Sequence, residues 1–404
     1  MGKSRRLAVL VIPILLLAGC GHPSSERAAN DLLFLGTPRG VAVVKPGAAA
    51  PAFRGDAVPS QDWSRMARAV VRGGVTRVVA LDPASGTELW SRAVTGRLQV
   101  ELVSKGGDLV ALSPVREPHY SYGRARTTLV VVGEAASGPQ TVTLDGNFEP
   151  EAFSTDGKSL FVIEYLPARN PQSYRVRRLD LVTEEVVGVY TVDAELQRAM
   201  GGTARVQAAS PDGKRLYTLY TLRGDNDVRY AFIHVLSLDE LWAHCIDLPA
   251  EFAASPERAT ALTVGAGGER LYVANTAMGI VAEIDTEELR VIETGGIDLV
   301  PGGDAHAALG SDGMLYFASG PRLVAVDAAE LEQRGAWLLP QKIQGIQVAR
   351  DPTRVYLGLR DRVAILDSVT AKLRTIDPPG VKRIVRFGPV GRSLDEPPEI
   401  TCAC

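Results

Sequence analysis

The chain has 404 residues, with 44 Lys and Arg against 47 Asp and Glu, a formal net charge of −3, and hydrophobic residues making up 46%. Such a chain can bury a core that needs no disulfide framework, and its mildly acidic balance disfavours bulk binding to nucleic acid. Length alone suggests two or three domains, but closed all-β folds often exceed the usual domain size, and 40 Gly and 25 Pro are spread along the chain without marking a boundary.

The first element is a leader. Lys3, Arg5 and Arg6 precede an apolar run over residues 7–17, which Pro13 interrupts and Leu17-Ala18-Gly19-Cys20 closes. A membrane-spanning helix needs about 18 or more apolar residues, so the run is too short to span and has the charged start, short apolar middle and small-residue exit of a signal peptide. Cys20 placed directly after Leu17-Ala18-Gly19 resembles the lipobox of bacterial lipoproteins. The resemblance implies removal of residues 1–19, lipid attachment at Cys20, a polar tether over residues 20–31, and a place on the extracytoplasmic side of a cell membrane. Losing Lys3, Arg5 and Arg6 takes the net charge to −6.

From about residue 100 to residue 378, within a propeller domain expected over residues 32–388, the chain repeats a unit: an apolar strand, a tight turn, a second strand, a third ending in Asp, and a fourth. The turn reads Ser154-Thr155-Asp156-Gly157, then Ser210-Pro211-Asp212-Gly213, Gly265-Ala266-Gly267-Gly268 and Gly310-Ser311-Asp312-Gly313, with the last residues 56, 55 and 45 positions apart. Asp-Gly and Gly-Gly are favoured where a tight turn needs positive φ. The following strands, over residues 160–163 and 271–274, are continuous apolar runs, so both faces must be covered, as when a blade is sandwiched between two others. The third strand ends in Asp180, Asp285, Asp327 or Asp367, each leading into a turn. Leu271-Tyr272-Val273-Ala274-Asn275 and its sister segments resemble the YVTN-type repeat, and the whole resembles bacterial surface propellers of that class and WD-repeat propellers. Ala80-Leu81-Asp82, Ser85-Gly86 and Trp90 are similar to the tryptophan-docking motif of quinoprotein-type propellers, which implies a latch between neighbouring blades.

The reading is an all-β fold: a single β-propeller of four-stranded antiparallel blades. Eight middle-strand hairpins give eight blades, or seven if the first two units form one irregular blade. The first unit has no inner strand of its own, and residues 381–387 form a strand without a hairpin, so the C-terminal strand is expected to close the ring and remove two exposed edges. A short helix is expected over residues 193–200, and residues 389–404 form a tail.

Chemistry-bearing motifs are few. No catalytic triad or metal motif is present, and the remaining cysteines, Cys245, Cys402 and Cys404, do not have metal-site spacing; neither metal nor cofactor is expected. His234 lies in an apolar strand and reads as a packed residue. His244 and Cys245, as strand neighbours, point to opposite faces. The insertion between two strands over residues 116–126 holds Arg116, His119, Tyr120, Tyr122, Arg124 and Arg126, the residue types enriched in binding hot spots, and is the candidate partner-binding loop. The expected function is a lipid-anchored envelope module for binding or scaffolding, monomeric, with an envelope protein or small molecule as partner and no nucleic acid. The alternative is an enzyme, a lactonase-like hydrolase or quinone-dependent dehydrogenase. It is less favoured because the inner strands, as at Val206-Gln207-Ala208 and Ala307-Ala308-Leu309, read as mostly small and apolar.

Overall fold

The inner turns fold alike wherever the Ser-x-Asp-Gly pattern occurs. Ser154 Oγ donates to Asp156 Oδ1 (2.7 Å) and accepts from the Ser159 N–H (2.9 Å), while Gly157, at φ 68°, donates its N–H to the Ser154 carbonyl (3.0 Å). The same bonds recur around Ser210, Asp212 and Gly213. Short polar side chains thus satisfy the turn's backbone, and glycine takes the left-handed conformation that a Cβ disfavours.

These turns generate eight sheets in a computed structural model that describes residues 31–115, 123–191, 201–223, 229–253, 258–299 and 303–388. Blade 1 spans 33–55 together with 386–387, blade 2 spans 58–95, blade 3 spans 98–145 and blade 4 spans 147–188. Blade 5 spans 203–247, blade 6 spans 260–296, blade 7 spans 305–338 and blade 8 spans 345–376. The architecture is the expected eight-bladed antiparallel propeller. Blade 5 differs in one respect: Tyr190–Thr191 adds a fifth strand, parallel to Trp242–Asp247. The expected helix over residues 193–200 and the tail over residues 389–404 lie outside the described residues.

The core lies between blades. Tyr217, Leu219, Ile233 and Val235 of blade 5 pack on Leu271, Val273, Ala282 and Ile284 of blade 6, all at or below 5% exposure. This explains the unbroken apolar runs, because each middle strand is covered on both faces. Trp90, 7% exposed, spans blades 2 and 3 and donates its indole N–H to the Gly107 carbonyl (3.3 Å), the latch its motif implies.

Closure is made by Arg386–Phe387, which pairs antiparallel with Leu35 and Gly36 and buries Phe387 completely. The strand is shorter than the run over residues 381–387 suggested. Blade 8 is further tied to blade 1 through Asp31, whose carboxylate accepts from the Tyr356 hydroxyl (3.0 Å), and through Gln347, whose amide donates to the Leu32 carbonyl (2.6 Å). Asp31 also accepts from the Arg350 N–H, next to the inner turn of blade 8, so the chain enters the ring on the face that carries these turns. Gly388 leaves beside it, donating its N–H to the Phe34 carbonyl (2.9 Å).

The turns into the fourth strands share a second device. Asp180 Oδ1 accepts from the Val182 and Thr183 N–H groups, Asp285 Oδ1 from those of Glu287 and Glu288, and Asp367 Oδ1 from that of Thr370. Those backbone donors hold all three carboxyls below the usual range. Four residues after each Asp, Glu184, Leu289 and Ala371 adopt φ of 62°, 52° and 55°, where Gly86 of blade 2 has 70°.

Candidate functional site in the central channel

Inner strands line the axis of the ring, and three consecutive ones are irregular. In Leu98–Val103, Asn147–Phe153 and Thr203–Ala209 the pairing with the second strand skips a residue, leaving Glu101, Glu151 and Arg205 as the extra residues of β-bulges. A bulge re-aims its side chain and bends the strand. The inner strands of blades 6, 7 and 8, Thr260–Val264, Ala305–Leu309 and Gly345–Val348, pair without such a shift.

The bulged side borders a cavity of about 590 Å³, walled by Phe34, Trp63, Leu102, Phe153 and Leu216 and carrying Glu101 and Glu151. The expectation that the inner strands are mostly small and apolar therefore holds for blades 6 to 8 and is corrected for blades 3 and 4, where the bulges bring carboxylates to the channel. A second space of about 360 Å³ continues along the axis past Gln207, Thr263 and His306.

Glu151, only 6% exposed, accepts from the Gln207 amide (2.6 Å), which also lies 3.1 Å from the Thr218 hydroxyl. Glu101 Oε1 accepts from the Ser113 hydroxyl and from the Gln99 amide (2.8 Å). At the mouth on the inner-turn face, the Lys105 ammonium reaches across to the Asp212 carbonyl. Trp63 stands beside it, edge-to-face on Phe34 with ring centroids 4.8 Å apart. Its backbone is unusual. Trp63 donates its N–H to the Ser60 carbonyl as Gly107, Gly157, Gly213, Gly268 and Gly313 do in their own turns, and it shares their positive φ, at 59°. An aromatic side chain thus occupies a position that is glycine in five sister turns and proline, Pro352, in blade 8.

A polar row leads outward from Glu151 across blade 5. Gln207 pairs with Thr218, Thr218 with His234, and His234 with Cys245, so the four share one face of the sheet. His234 is 5% exposed, lies edge-on to Tyr220 (6.3 Å between centroids), and is pushed down to about 4 by burial, so it is neutral near pH 7. This agrees with its reading as a packed residue. His244 pairs with Val235 and Cys245 with His234, placing His244 and Cys245 on opposite faces as expected. Cys245 and His234 sharing a face was not legible in the linear order. Tyr174 and Tyr220 stack beside the row at 5.4 Å, and burial raises the Tyr174 phenol well above its ordinary value. His306, lining the second space, is likewise lowered to about 4 by burial.

Of the residues singled out from sequence, Cys20, Arg116, His119, Tyr120 and Tyr122 lie outside the described residues. Arg124 donates its backbone N–H to the Ala168 carbonyl (2.9 Å) and its guanidinium to the Phe148 carbonyl, fixing the end of the insertion against blade 4. Arg126 opens the third strand of blade 3 and forms an exposed ion pair with Asp145 opposite it (3.2 Å). Among the described residues no three His, Cys, Asp or Glu side chains form a group able to hold a metal ion, and no helix is long and apolar enough to cross a membrane.

Fold and site define an eight-bladed β-propeller with a partly apolar, carboxylate-bearing channel. The chain matches no protein-family model and no curated protein sequence. Among solved structures it is similar to apo AztD from Citrobacter koseri, at 15% identity and a TM-score of 0.57, over 88% of this chain and 96% of that one. It is also similar to Sqt1 from Saccharomyces cerevisiae, at 8% identity and a TM-score of 0.50, over 80% of this chain and 85% of the other. These likenesses show the propeller fold.

Proposed function

We propose that the chain is a lipid-anchored propeller of a bacterial cell envelope, held through Cys20 on the extracytoplasmic side, and that it acts as a binding module with its ligand in the central channel. The carrying observation is the cavity of about 590 Å³ beside Glu101 and Glu151. Ligand sites are typically concave, mostly apolar and of about 300–1,000 Å³, with a few placed polar groups. The anchor is supported by Leu17-Ala18-Gly19-Cys20 and by the entry of Asp31 at the rim of the ring. The insertion over residues 116–126 is the proposed surface for an envelope protein, with Arg124 and Arg126 bracing its end.

Two experiments test the reading. Cys20→Ala should abolish labelling by palmitate and release the protein from membranes or leave an unprocessed precursor; unchanged fractionation with retained label overturns the anchor. Thermal scans against fractionated envelope small molecules should show stabilisation, about 2.7 kcal/mol for a ligand at 100 times its dissociation constant. Loss of that stabilisation in Trp63→Gly places the ligand in the channel, whereas an unchanged response places it elsewhere. The two carboxylates that line the cavity also give the hydrolase alternative one specific foothold, and turnover of a lactone that is lost in Glu151→Gln would favour it.

A further inference from the structure

We infer that the turn Ser60-Gln61-Asp62-Trp63 at the channel mouth selects an uncharged molecule, a flat ring body bearing a carbonyl or hydroxyl oxygen, with the ring against the Trp63 side chain and the oxygen toward the indole N–H. The inference rests on the channel-binding reading and adds the chemical class of the ligand and the residues that choose it.

Five sister turns hold glycine where this one holds Trp63, and blade 8 holds Pro352, so the turn itself has no need of an indole. At φ 59° a bulky side chain sits in a conformation that its Cβ disfavours, and such outliers gather at ligand sites. Gln61 and Trp63 each line both the cavity of about 590 Å³ and the second space of about 360 Å³, so they stand where the two meet. Both are half-buried, and neither the Gln61 amide nor the Trp63 indole N–H has a hydrogen-bond partner among the described residues. By contrast, Trp90 donates to the Gly107 carbonyl and Trp242 to the Glu240 carboxylate. A half-buried indole N–H ordinarily finds an acceptor, and here a ligand oxygen would supply it.

The charged groups of the cavity are engaged within the fold. Glu101 accepts from Ser113 and Gln99, Glu151 accepts from Gln207 and has further interactions, Lys105 reaches the Asp212 carbonyl, and Arg386 likewise interacts within the protein. Two of these contacts cross between blades, Lys105 from blade 3 to blade 5 and Glu151 from blade 4 to blade 5, so they hold the wall in shape. Two carboxylates and two cations also balance in sign. A charged ligand of either sign would lose its hydration, meet a like charge on the wall and compete with bonds already made. What the cavity leaves open is neutral: an apolar surface with Phe34, Leu102, Phe153 and Leu216, an indole donor and an amide. An uncharged ring buries its area against the first and gives the other two a partner.

The test uses the full chain in neutral detergent, titrated near neutral pH with 2-naphthamide and with its charged isosteres, the anion 2-naphthoate and the cation 2-naphthamidinium, and read by calorimetry against detergent alone. 2-Naphthamide should bind saturably, and each charged isostere at least about tenfold more weakly. Trp63→Gly, which suits the φ of that turn, should weaken 2-naphthamide at least about tenfold. Trp63→Phe, which keeps a ring and removes the N–H, and Gln61→Leu should each weaken it by about threefold to tenfold. Binding of either charged isostere as tight as that of 2-naphthamide overturns the uncharged class and leaves the channel as a ligand site. 2-Naphthamide binding that ignores all three variants overturns the assignment to the turn. Stabilisation by envelope fractions that is lost in Trp63→Gly, with no response to 2-naphthamide, overturns the ligand class alone. If neither probe nor any fraction binds, the channel-binding reading falls with it.

Discussion

Blades 3 to 5 and blades 6 to 8 are built from the same unit, with the same order of strands and, apart from blade 8 with its Pro352, the same inner turns, yet they present different surfaces to the channel. The inner strands of blades 6 to 8 pair residue for residue, and none of them carries a carboxylate. Those of blades 3 to 5 each carry one extra residue, and the extra residues are Glu101, Glu151 and Arg205. Because strand side chains alternate with period two, one added residue changes what a strand offers without altering the sheet around it. A repeat fold can therefore place charge at its axis with single insertions while keeping the interfaces that hold the ring together.

If stability resides in the interfaces and binding in the bulges, the largest stability effect should come from the seam, far from either carboxylate. Phe387→Ala removes a fully buried ring from the closing strand and should destabilise by about 3–5 kcal/mol, measured by denaturant unfolding. An effect below about 1 kcal/mol would show that the seam between blades 8 and 1 is dispensable.

Acid should act on both sides of the ring alike, through His234 in blade 5 and His306 in blade 7, each lowered to about 4 from 6.5 by burial. Between pH 6.5 and about 4 the unfolded chain binds protons that the native state refuses, so this contribution is complete above pH 6.5 and declines as pH falls toward 4. Each histidine should account for roughly 3 kcal/mol across that window. His306→Leu should flatten the dependence of stability on pH by about one proton; an unchanged slope would mean that His306 is already charged in the fold.

Smaller effects separate the two sides again. Gln207→Leu takes from Glu151 its 2.6 Å amide donor and should cost about 1.5–3 kcal/mol, more than the same change at an exposed glutamine. Smallest, and opposite in sign, is Ala371→Gly. Ala371 is exposed at φ 55°, and removing its Cβ should stabilise by up to about 1 kcal/mol, visible as a higher melting temperature.

The propeller was legible because its turns are local. Ser154-Thr155-Asp156-Gly157 and its sisters state their backbone conformation in the residues themselves, and the orphan run ending at Phe387 stated a need for a partner. Bulges are not local in this sense. Whether Glu151 is an extra residue depends on how Pro150 and Ala152 align with Val162 and Phe161, which no linear pattern reveals. The pairing of His234 with Cys245 is hidden for the same reason. Trp63 was within reach: Ser60-Gln61-Asp62-Trp63 is in frame with the Ser-x-Asp-Gly turns, and the replacement of glycine by tryptophan is the signal that could have marked the channel mouth.

Asp31 and Gly388 bring both ends of the ring to the face where Trp63 and Lys105 frame the channel. Only eleven positions separate Cys20 from Asp31, a leash of at most about 40 Å when drawn straight. On the proposed anchoring, a lipid at Cys20 would tether the propeller through the face that carries the channel mouth and keep that mouth within reach of the lipid surface.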